Sequence, residues 1–589
     1  MNIEKVLHRS GILYQVQKPS RYIGHEWNRT KKPVDKALTR FLLVFPDLYE
    51  IGMSHLGLRI LYDVINRTPG MMAERAFLPW VDMQRKITDG TIPLYSLESF
   101  SAIDEFDAIG FTLQYELSYP GIIRFLDLAK LSPFSLDRKD EDPILIAGGP
   151  CAYNPEPLAE ILDAFFIGDA EEGIIEIGEC LRANKGEKKS KRLSELAKIA
   201  GVYVPRFPPA APVRKRIVPK EALNCIQDWM VPFFPIVHER AILETQRGCT
   251  RGCRFCQAGM IYRPVRESPL ETLARMVVKR TEETGYEEMA LLSLSTLDYS
   301  QLSELISRSR AFLDEKMVAL SIPSSRMDQF SLQIANQISG VRKSSLTFAP
   351  EAGTQRMRNV INKNLSEEEI LTTVLTAKNG GWTRLKLYFM VGLPTETAED
   401  IEGIITLTKK IKEVGIKKIS VSVAGFVPKP HTPFQYCAQK TVDELHRILH
   451  ALLNIKGVAS FELHKPEMSW VEGVLARGDR KLGPSLVQVS RQGNGFEGLQ
   501  EEFSYERWGS AWLDTGIDPD QYTAQRGTEE AFPWDVVDAG LTKAFLKSEY
   551  EKALRAESTP DCRDGACSGC GVGMPCGVGM PRRACDGRS

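Results

Sequence analysis

The chain has 589 residues, a length that predicts about three or four domains. Its 75 Lys and Arg residues nearly balance its 76 Asp and Glu residues, so the formal net charge is -1. A chain with so little net charge gives no electrostatic reason to expect nucleic acid as its partner.

The N-terminus, Met1 to Lys5, lacks the charged and then apolar pattern of a signal peptide, and no apolar run is long enough to cross a bilayer. We therefore expect a cytoplasmic protein with no membrane partner. In a reducing compartment its 12 cysteines are expected to bind metal or to pack in the core, not to form disulfides. Eight of them fall into two tight groups, within residues 249–256 and 562–585.

After an N-terminal arm (residues 1–40), residues 41–190 alternate between short apolar strands and helical patterns. The predicted strands are Phe41–Phe45, Ala108–Phe111, Ile144–Ala147 and Ala164–Ile167. Apolar strands with helices between them predict a parallel, doubly wound α/β sheet of the Rossmann type, covered on both faces. Such a sheet binds ligands at the carboxyl ends of its strands.

A linker rich in proline and charge is predicted for residues 191–237. Six further strand–helix units fill residues 238–460, which predicts an open or partial (β/α)6 barrel with its chemistry at the carboxyl ends of the strands. An accessory region (461–555) and a Cys-rich tail (556–589) follow. The tail contains a perfect tandem repeat of Cys-Gly-Val-Gly-Met-Pro, starting at Cys570 and again at Cys576.

Three cysteines close the first strand of the predicted barrel: Cys249, Cys253 and Cys256, in the spacing C-x3-C-x2-C. Three thiolates can each bind one iron of a 4Fe–4S cubane and leave the fourth iron open, which makes a site catalytic. The alternative is a structural zinc knuckle, but no fourth ligand lies nearby in the sequence. A non-catalytic iron–sulfur electron carrier or scaffold is the rival function.

From His238 to Pro433 the sequence resembles the radical S-adenosylmethionine (SAM) superfamily. The likeness rests on the cysteine motif, on Phe255 before the last cysteine, and on the polar strand ends. It implies five SAM-binding residues: Ser293 and Ser295 near the amino group, Arg326 and Glu351 near the ribose or carboxylate, and Gly392 beside the adenine. Ser293-Leu294-Ser295 stands where relatives have Gly-Gly-Glu, so the resemblance does not identify which residue binds the amino group of SAM.

The resemblance also implies an activity. An electron from the cluster would cleave SAM into methionine and a 5′-deoxyadenosyl radical, which abstracts hydrogen from a substrate. A reductant such as flavodoxin or ferredoxin is implied as a partner. Methyl transfer, sulfur insertion and rearrangement stay open as reactions, and RNA, a peptide or a small molecule as substrate.

The first sheet resembles the cobalamin-binding domain that precedes many radical SAM barrels. The likeness extends to one uncharacterised family, through Lys18 to Asn28 and Pro466 to Trp470. It implies five cobalamin-binding residues: Asp47, Gly52, Gly148, Gly149 and Gly168. Tyr49 replaces the usual cobalt-ligating histidine, so we expect cobalamin to bind without a protein nitrogen on cobalt; a domain that no longer binds cobalamin is the alternative. His55 is interpreted as a polar residue on the first helix.

In the tail, Cys562, Cys567, Cys570 and Cys576 are predicted to hold a second, closed metal centre. Free thiols are the alternative. If the tail acts independently, truncation before Thr559 removes one metal centre and leaves the radical cluster in place.

Overall fold

The computed structural model describes residues 2–35, 37–322, 346–453, 457–563 and 567–572. Its first sheet has six strands in the order β2-β1-β3-β4-β5-β6. The strands are β1 Thr39–Phe45, β2 Met71–Phe77, β3 Ala108–Thr112, β4 Ile144–Gly148, β5 Ala164–Phe166 and β6 Val202–Tyr203. All neighbours are parallel except β6, which runs antiparallel to β5.

The strand order reverses between β1 and β3, which is the topological switch point of a doubly wound sheet. The helices of this part are α1 Ile3–Arg9, α2 Tyr49–Gly52, α3 Leu56–Arg67, α4 Val81–Thr88, α5 Tyr119–Leu128, α6 Gly173–Ala183 and α7 Lys189–Leu196. The doubly wound α/β prediction is confirmed. The sheet extends past residue 190, because β6 adds an antiparallel edge strand from the segment expected to be linker.

The connector is tied to the C-terminal region: β7 Val213–Arg214 pairs with residues 537–538. The barrel part contains β8 Ala241–Glu244, β9 Gln246–Arg247, β10 Arg266–Glu267, β11 Glu288–Leu292, β12 Ala319–Ser321, β13 Leu346–Glu351, β14 Arg384–Val391, β15 Lys418–Gly425 and β16 Ser460–Leu463. Its parallel strands form two sheets, ordered β12-β11-β8 and β13-β14-β15-β16. Among the described residues these sheets do not close into a complete barrel, as expected for a partial one.

Helices alternate with these strands and then continue into the C-terminal region. In the barrel part they are α8 Gln257–Ile261, α9 Leu270–Thr284, α10 Leu302–Glu315, α11 Gln355–Val360, α12 Glu367–Asn379, α13 Ala398–Glu413 and α14 Val442–Leu452. Beyond it lie α15 Pro466–Arg477, α16 Gly483–Gln492, α17 Tyr505–Thr515, α18 Asp520–Thr523, the short strand β17 Val537–Asp538 and α19 Lys543–Leu554. None of the described helices has the length and apolar character of a membrane span.

Candidate active site

The cysteine loop runs from Gly248 to Cys256, between β9 and α8. Gly248 has φ +92°, and a Cβ there would lie 2.6 Å from the carbonyl oxygens of Tyr262 and Pro264. Only glycine therefore allows this close approach of the backbone. At the other end of the loop, the Sγ of Cys256 accepts a hydrogen bond from the backbone N–H of Gly259 at 3.3 Å, which caps α8.

The structure brings the three predicted cluster thiols together in one partly buried neighbourhood. Burial, with the nearby Cys253 and Cys249, raises the pKa of Cys256 to about 12. Burial, with Cys253, also raises the pKa of Cys249. Among the described residues, no three His, Cys, Asp or Glu side chains are spaced to hold a single metal ion. The thiolates of a cubane each bind a different iron, so Cys249, Cys253 and Cys256 would each hold one iron of a 4Fe–4S cluster.

Two positively charged side chains, those of Arg263 and Lys363, lie beside this loop. Arg263 is buried, donates from Nε to the carbonyl of Gly259 at 3.0 Å, and acts to lower the pKa of Cys249. Lys363 acts in the same direction on Cys256 and forms an ion pair with Glu351 at 3.2 Å. Positive charge near thiols favours the thiolate form that binds iron.

A cavity of 390 Å³ joins the first sheet to the cysteine loop. One wall is formed by the sheet and by α3 and α6, the other by the ends of β8 and β11 and the start of the loop. Its lining includes Leu43, His55, Gly110, Gln114, Gly148, Gly149, Gly168, Ile174, Gln246, Arg247, Gly248, Tyr262, Ser293 and Leu294. The cavity therefore lies at the switch point of the sheet, where ligands of doubly wound folds bind, and it reaches the residue before Cys249.

Three of the five predicted cobalamin residues line this cavity: Gly148, Gly149 and Gly168. Asp47 and Gly52 are not among the lining residues that the structure describes. Asp47 accepts a hydrogen bond from the backbone N–H of Leu48 at 2.7 Å, and burial raises its pKa to about 6. A Cβ on Gly52 would lie 2.4 Å from the ring of Phe77, so this glycine permits helix packing.

Tyr49 is not among the described residues that line the cavity, whereas His55 is. The hydroxyl of Tyr49 donates to Glu26 at 2.9 Å, and its ring is buried between Phe77 and Phe234. His55 caps α3 and lines the cavity. Its Nδ1 accepts from the N–H of Leu58 at 3.1 Å, its Nε2 lies 3.0 Å from Oε1 of Gln114, and burial lowers its pKa to about 4. His55 is therefore a neutral cavity residue with both ring nitrogens engaged.

The predicted SAM residues fall into different environments. Ser293 lines the cavity, whereas Ser295 is buried and donates its hydroxyl to Asp298 at 2.6 Å. Glu351 lies near the cysteine loop through its ion pair with Lys363. Gly392 has φ +79° and donates its N–H to Glu396 at 2.6 Å. Arg326 lies outside the described residues.

Sequence reasoning missed Arg247, which joins the two halves of the cavity. It forms ion pairs with Asp169 at 2.9 Å and Glu171 at 2.8 Å in the first domain, and with Glu244 at 2.9 Å on β8. A charged residue two positions before the first cysteine was the available signal. Its two partners in the first domain, Asp169 and Glu171, were not recognisable, because they lie more than 70 residues away in the sequence.

The tail cysteines are only partly described. Cys570 is buried in an apolar cluster with residues of α8, α11 and α19, and Cys562 and Cys567 are half-buried. Cys576 lies outside the described residues. The second metal centre stays a prediction.

Comparison with known proteins gives two family matches. The profile described as "Radical SAM proteins, N-terminal" matches residues 57–205, and that of the "Radical SAM superfamily" matches residues 243–408. An uncharacterized protein of Methanocaldococcus jannaschii is 30% identical over 494 residues, which cover 82% of this chain and 98% of the relative. The chain belongs to the radical SAM superfamily.

Two further proteins match this radical SAM protein more distantly. A tRNA-2-methylthio-N(6)-dimethylallyladenosine synthase of Pelotomaculum thermopropionicum is 20% identical over 263 residues, which cover 43% of this chain and 58% of the relative. The solved structure of the radical SAM methyltransferase TsrM from Kitasatospora setae, with cobalamin and a [4Fe-4S] cluster bound, matches with a TM-score of 0.46 and 12% identity, covering 88% of this chain and 99% of that one.

Membership of the superfamily makes this chain an enzyme that uses SAM and a 4Fe–4S cluster. The rival interpretation as an electron carrier is thereby set aside. Cys249, Cys253 and Cys256 are the residues that would hold the cluster.

Proposed function

We propose that this radical SAM enzyme uses cobalamin as a second cofactor and transfers a methyl group to its substrate. One observation carries the proposal: a single cavity is lined both by the carboxyl ends of the first sheet and by the start of the cysteine loop. When bound, the reduced cluster supplies the electron that cleaves SAM, and cobalamin supplies a transferable methyl group.

The lining of the cavity suits a cofactor that has an extensive apolar face and polar groups around it. Where the sheet, α3 and α6 line the cavity, most of the residues are aliphatic or aromatic, and a few polar residues such as His55 and Gln114 are among them. Gly148 has ordinary backbone geometry, and a Cβ there would meet no atom closer than 3.7 Å. Here glycine leaves open space on the cavity side without being needed for a turn. Ligand sites typically combine such apolar walls with a few polar groups.

The protein's own residues would bind and orient the two cofactors and shield them from solvent. Arg247 holds the first domain against the barrel through Asp169 and Glu244 and so keeps the two walls of the cavity together. Gln114 and His55 present polar groups to the same space. A one-electron reductant such as flavodoxin or ferredoxin is proposed as partner, and the substrate belongs to the open classes of RNA, peptides or small molecules.

The test is anaerobic reconstitution with iron, sulfide and hydroxocobalamin. We expect one 4Fe–4S cluster at the triple-cysteine site, bound corrinoid, and 5′-deoxyadenosine from SAM under dithionite. Gly148→Leu should fill the cavity and lower corrinoid affinity by about tenfold or more, with the iron content unchanged. Gly509→Val is the matched control, since no atom lies within 4 Å of a Cβ there.

Replacing Cys249, Cys253 and Cys256 together by Ala should abolish 5′-deoxyadenosine formation and leave corrinoid binding intact. Absence of corrinoid in the wild-type protein, or equal corrinoid affinity in Gly148→Leu, would reject cobalamin as the second cofactor. SAM cleavage by the triple-cysteine variant would reject the cluster assignment.

A further inference from the structure

A chain of two hydrogen bonds at the switch point of the first sheet orients the side-chain amide of Gln114. The backbone N–H of Leu58 donates to Nδ1 of His55 at 3.1 Å, and Nε2 of the same ring lies 3.0 Å from Oε1 of Gln114. His55 follows β1 and Gln114 follows β3, so the second bond spans the two strands between which the strand order reverses. Both side chains line the cavity.

The hydrogen positions in this chain follow from its first donor. A backbone N–H can only donate, so Nδ1 of His55 is the accepting nitrogen of the ring. In a neutral imidazole the other nitrogen then carries the proton, and Nε2 donates to Gln114. This donor requires the oxygen end of the amide. Oε1 of Gln114 is therefore fixed toward His55, and the N–H groups on Nε2 face away from the ring.

The amide nitrogen of Gln114 is a donor that the protein leaves available. The side chain is exposed, and Nε2 has no hydrogen-bond partner among the residues that the structure describes. Arg247, the charged donor of the same cavity lining, is already engaged by three carboxylates. A ligand that enters the cavity therefore meets at the switch point an N–H donor that is held in one orientation.

The ligand group that fits this donor is an oxygen acceptor. Cobalamin carries such acceptors around its corrin ring, as the carbonyl oxygens of carboxamides, and on its nucleotide side chain, as phosphodiester oxygens. We propose that Nε2 of Gln114 donates a hydrogen bond to a side-chain oxygen of the corrinoid, and that His55 is the positioning residue that orients the amide. The inference rests on the proposed function, in which cobalamin is the second cofactor.

The test is the affinity of the anaerobically reconstituted enzyme for hydroxocobalamin and for cobinamide, measured by equilibrium titration without SAM. Gln114→Met removes both ends of the amide and should weaken hydroxocobalamin binding by about fivefold, because one neutral hydrogen bond is lost. Gln114→Glu keeps an acceptor for His55 but replaces the donor by an oxygen. It should weaken binding by about tenfold or more, because two acceptors then face each other.

The order of these two variants separates a ligand contact from a structural role. If Gln114 only supports His55, Gln114→Glu retains that bond and binds corrinoid at least as well as Gln114→Met, which overturns the proposal. Gln227→Glu is the matched control. Gln227 is exposed, lies outside the cavity lining that the structure describes, and accepts from Lys279 at 3.4 Å. Its affinity should equal that of the wild type, and a loss equal to that of Gln114→Glu would also overturn the contact.

Cobinamide identifies the acceptor, because it keeps the carboxamides of the corrin ring and lacks the phosphodiester. A loss in Gln114→Glu for both corrinoids assigns the acceptor to a carboxamide, and a loss for hydroxocobalamin alone assigns it to the phosphodiester. Either result supports the donor role. Wild-type protein that binds neither corrinoid rejects the proposed function together with this inference. Wild-type binding with equal affinity in Gln114→Glu rejects this inference alone.

His55→Phe tests the positioning role. Phenylalanine keeps a ring beside Phe45, whose centroid lies 5.3 Å from that of His55, and removes both nitrogens. Hydroxocobalamin affinity should fall by about threefold, because the amide of Gln114 is then free to turn. The same change should have no further effect in the Gln114→Met background. Additive losses in the double variant would show that His55 acts independently of Gln114 and would overturn its positioning role.

Discussion

The hydroxyl of Thr250 donates to the carboxylate of Asp561 at 3.0 Å, which joins the cysteine loop to the C-terminal segment more than 300 residues away. Asp561 also lies 3.3 Å from Nε of Arg251 in the same loop. Two residues later, Arg563 forms an ion pair with Asp298 at 3.2 Å. Asp298 also forms an ion pair with Arg251. The C-terminal segment therefore holds the backbone between Cys249 and Cys253 from the outside.

This contact changes the expectation for the tail. Truncation before Thr559 removes Asp561 and Arg563, and with them the carboxylate that Thr250 donates to and one of the two carboxylates that pair with Arg251, so we expect the truncated protein to lose the radical cluster more readily. The sequence alone suggested that the cluster would be unaffected, because nothing in the tail marks Asp561 as a partner of a distant loop.

The point variant Asp561→Asn should weaken cluster retention. Hydrogen bonds to charged groups contribute roughly 1.5–3 kcal/mol each, so the rate of iron release to a chelator should rise by about tenfold. Glu529→Gln is the control, since Glu529 is exposed and its described partners, Lys547 and Thr528, lie on the surface away from the cysteine loop. Equal release rates in wild type and Asp561→Asn would show that this contact does not support the cluster.

Cobalamin, if bound as proposed, should receive no nitrogen ligand from the protein. Tyr49 is buried and bonded to Glu26, while His55 has Nδ1 bonded to a backbone N–H and Nε2 to Gln114. The paramagnetic resonance spectrum of the Co(II) form should therefore be the same with natural protein and with nitrogen-15-labelled protein. A change in the splitting on labelling, lost in His55→Ala, would instead identify His55 as a ligand.

Much of the fold was predictable because hydrophobic periodicity marks strands that are buried on both faces. The four strands predicted for the first sheet all lie within two residues of their predicted positions. Strand β2 was missed because Glu74 and Arg75 interrupt its apolar run. Both are fully buried, and Arg75 is neutralised by Glu26 at 2.7 Å and Glu98 at 2.6 Å.

For the site, local spacing was informative and long-range pairing was not. The C-x3-C-x2-C spacing predicts the cluster ligands from a short window, and three glycines that follow strands, Gly148, Gly149 and Gly168, line the cavity. The hydrogen bonds of the Gln246 and His55 side chains could not be predicted from the sequence, because their partners, Ser295 and Gln114, lie 49 and 59 residues away. No pattern within a short window can encode such contacts.

Lys429 connects three parts of the chain through two ion pairs. Its Nζ lies 2.7 Å from the buried Glu116 of the first domain and 2.7 Å from the partly buried Glu472 on α15. Lys429→Met should lower stability by roughly 3–5 kcal/mol, mainly because the carboxylate of Glu116 remains buried without a cation. The apparent melting temperature measures this loss. Adding Glu116→Gln and Glu472→Gln to Lys429→Met should recover part of it; no recovery would mean that Lys429 contributes through packing alone.

His431 should make the folded protein sensitive to acid. Burial lowers the pKa of its imidazole from 6.5 to about 4, and Nε2 donates to the carbonyl of Tyr153 at 2.9 Å. Because the unfolded chain binds this proton more readily, the stabilisation is complete above about pH 6.5 and is lost as the pH falls toward 4. The difference between these two pKa values corresponds to about 3 kcal/mol.

His431→Gln keeps a donor for Tyr153 and removes the titrating group. Its apparent melting temperature should fall less between pH 7.5 and pH 5 than that of wild type, although the variant starts from a lower value because the ring packing against Tyr153 is lost. His8→Gln, on the exposed face of α1, should leave the wild-type pH profile unchanged. If His431→Gln loses stability as steeply as wild type over this range, the acid sensitivity arises from other groups.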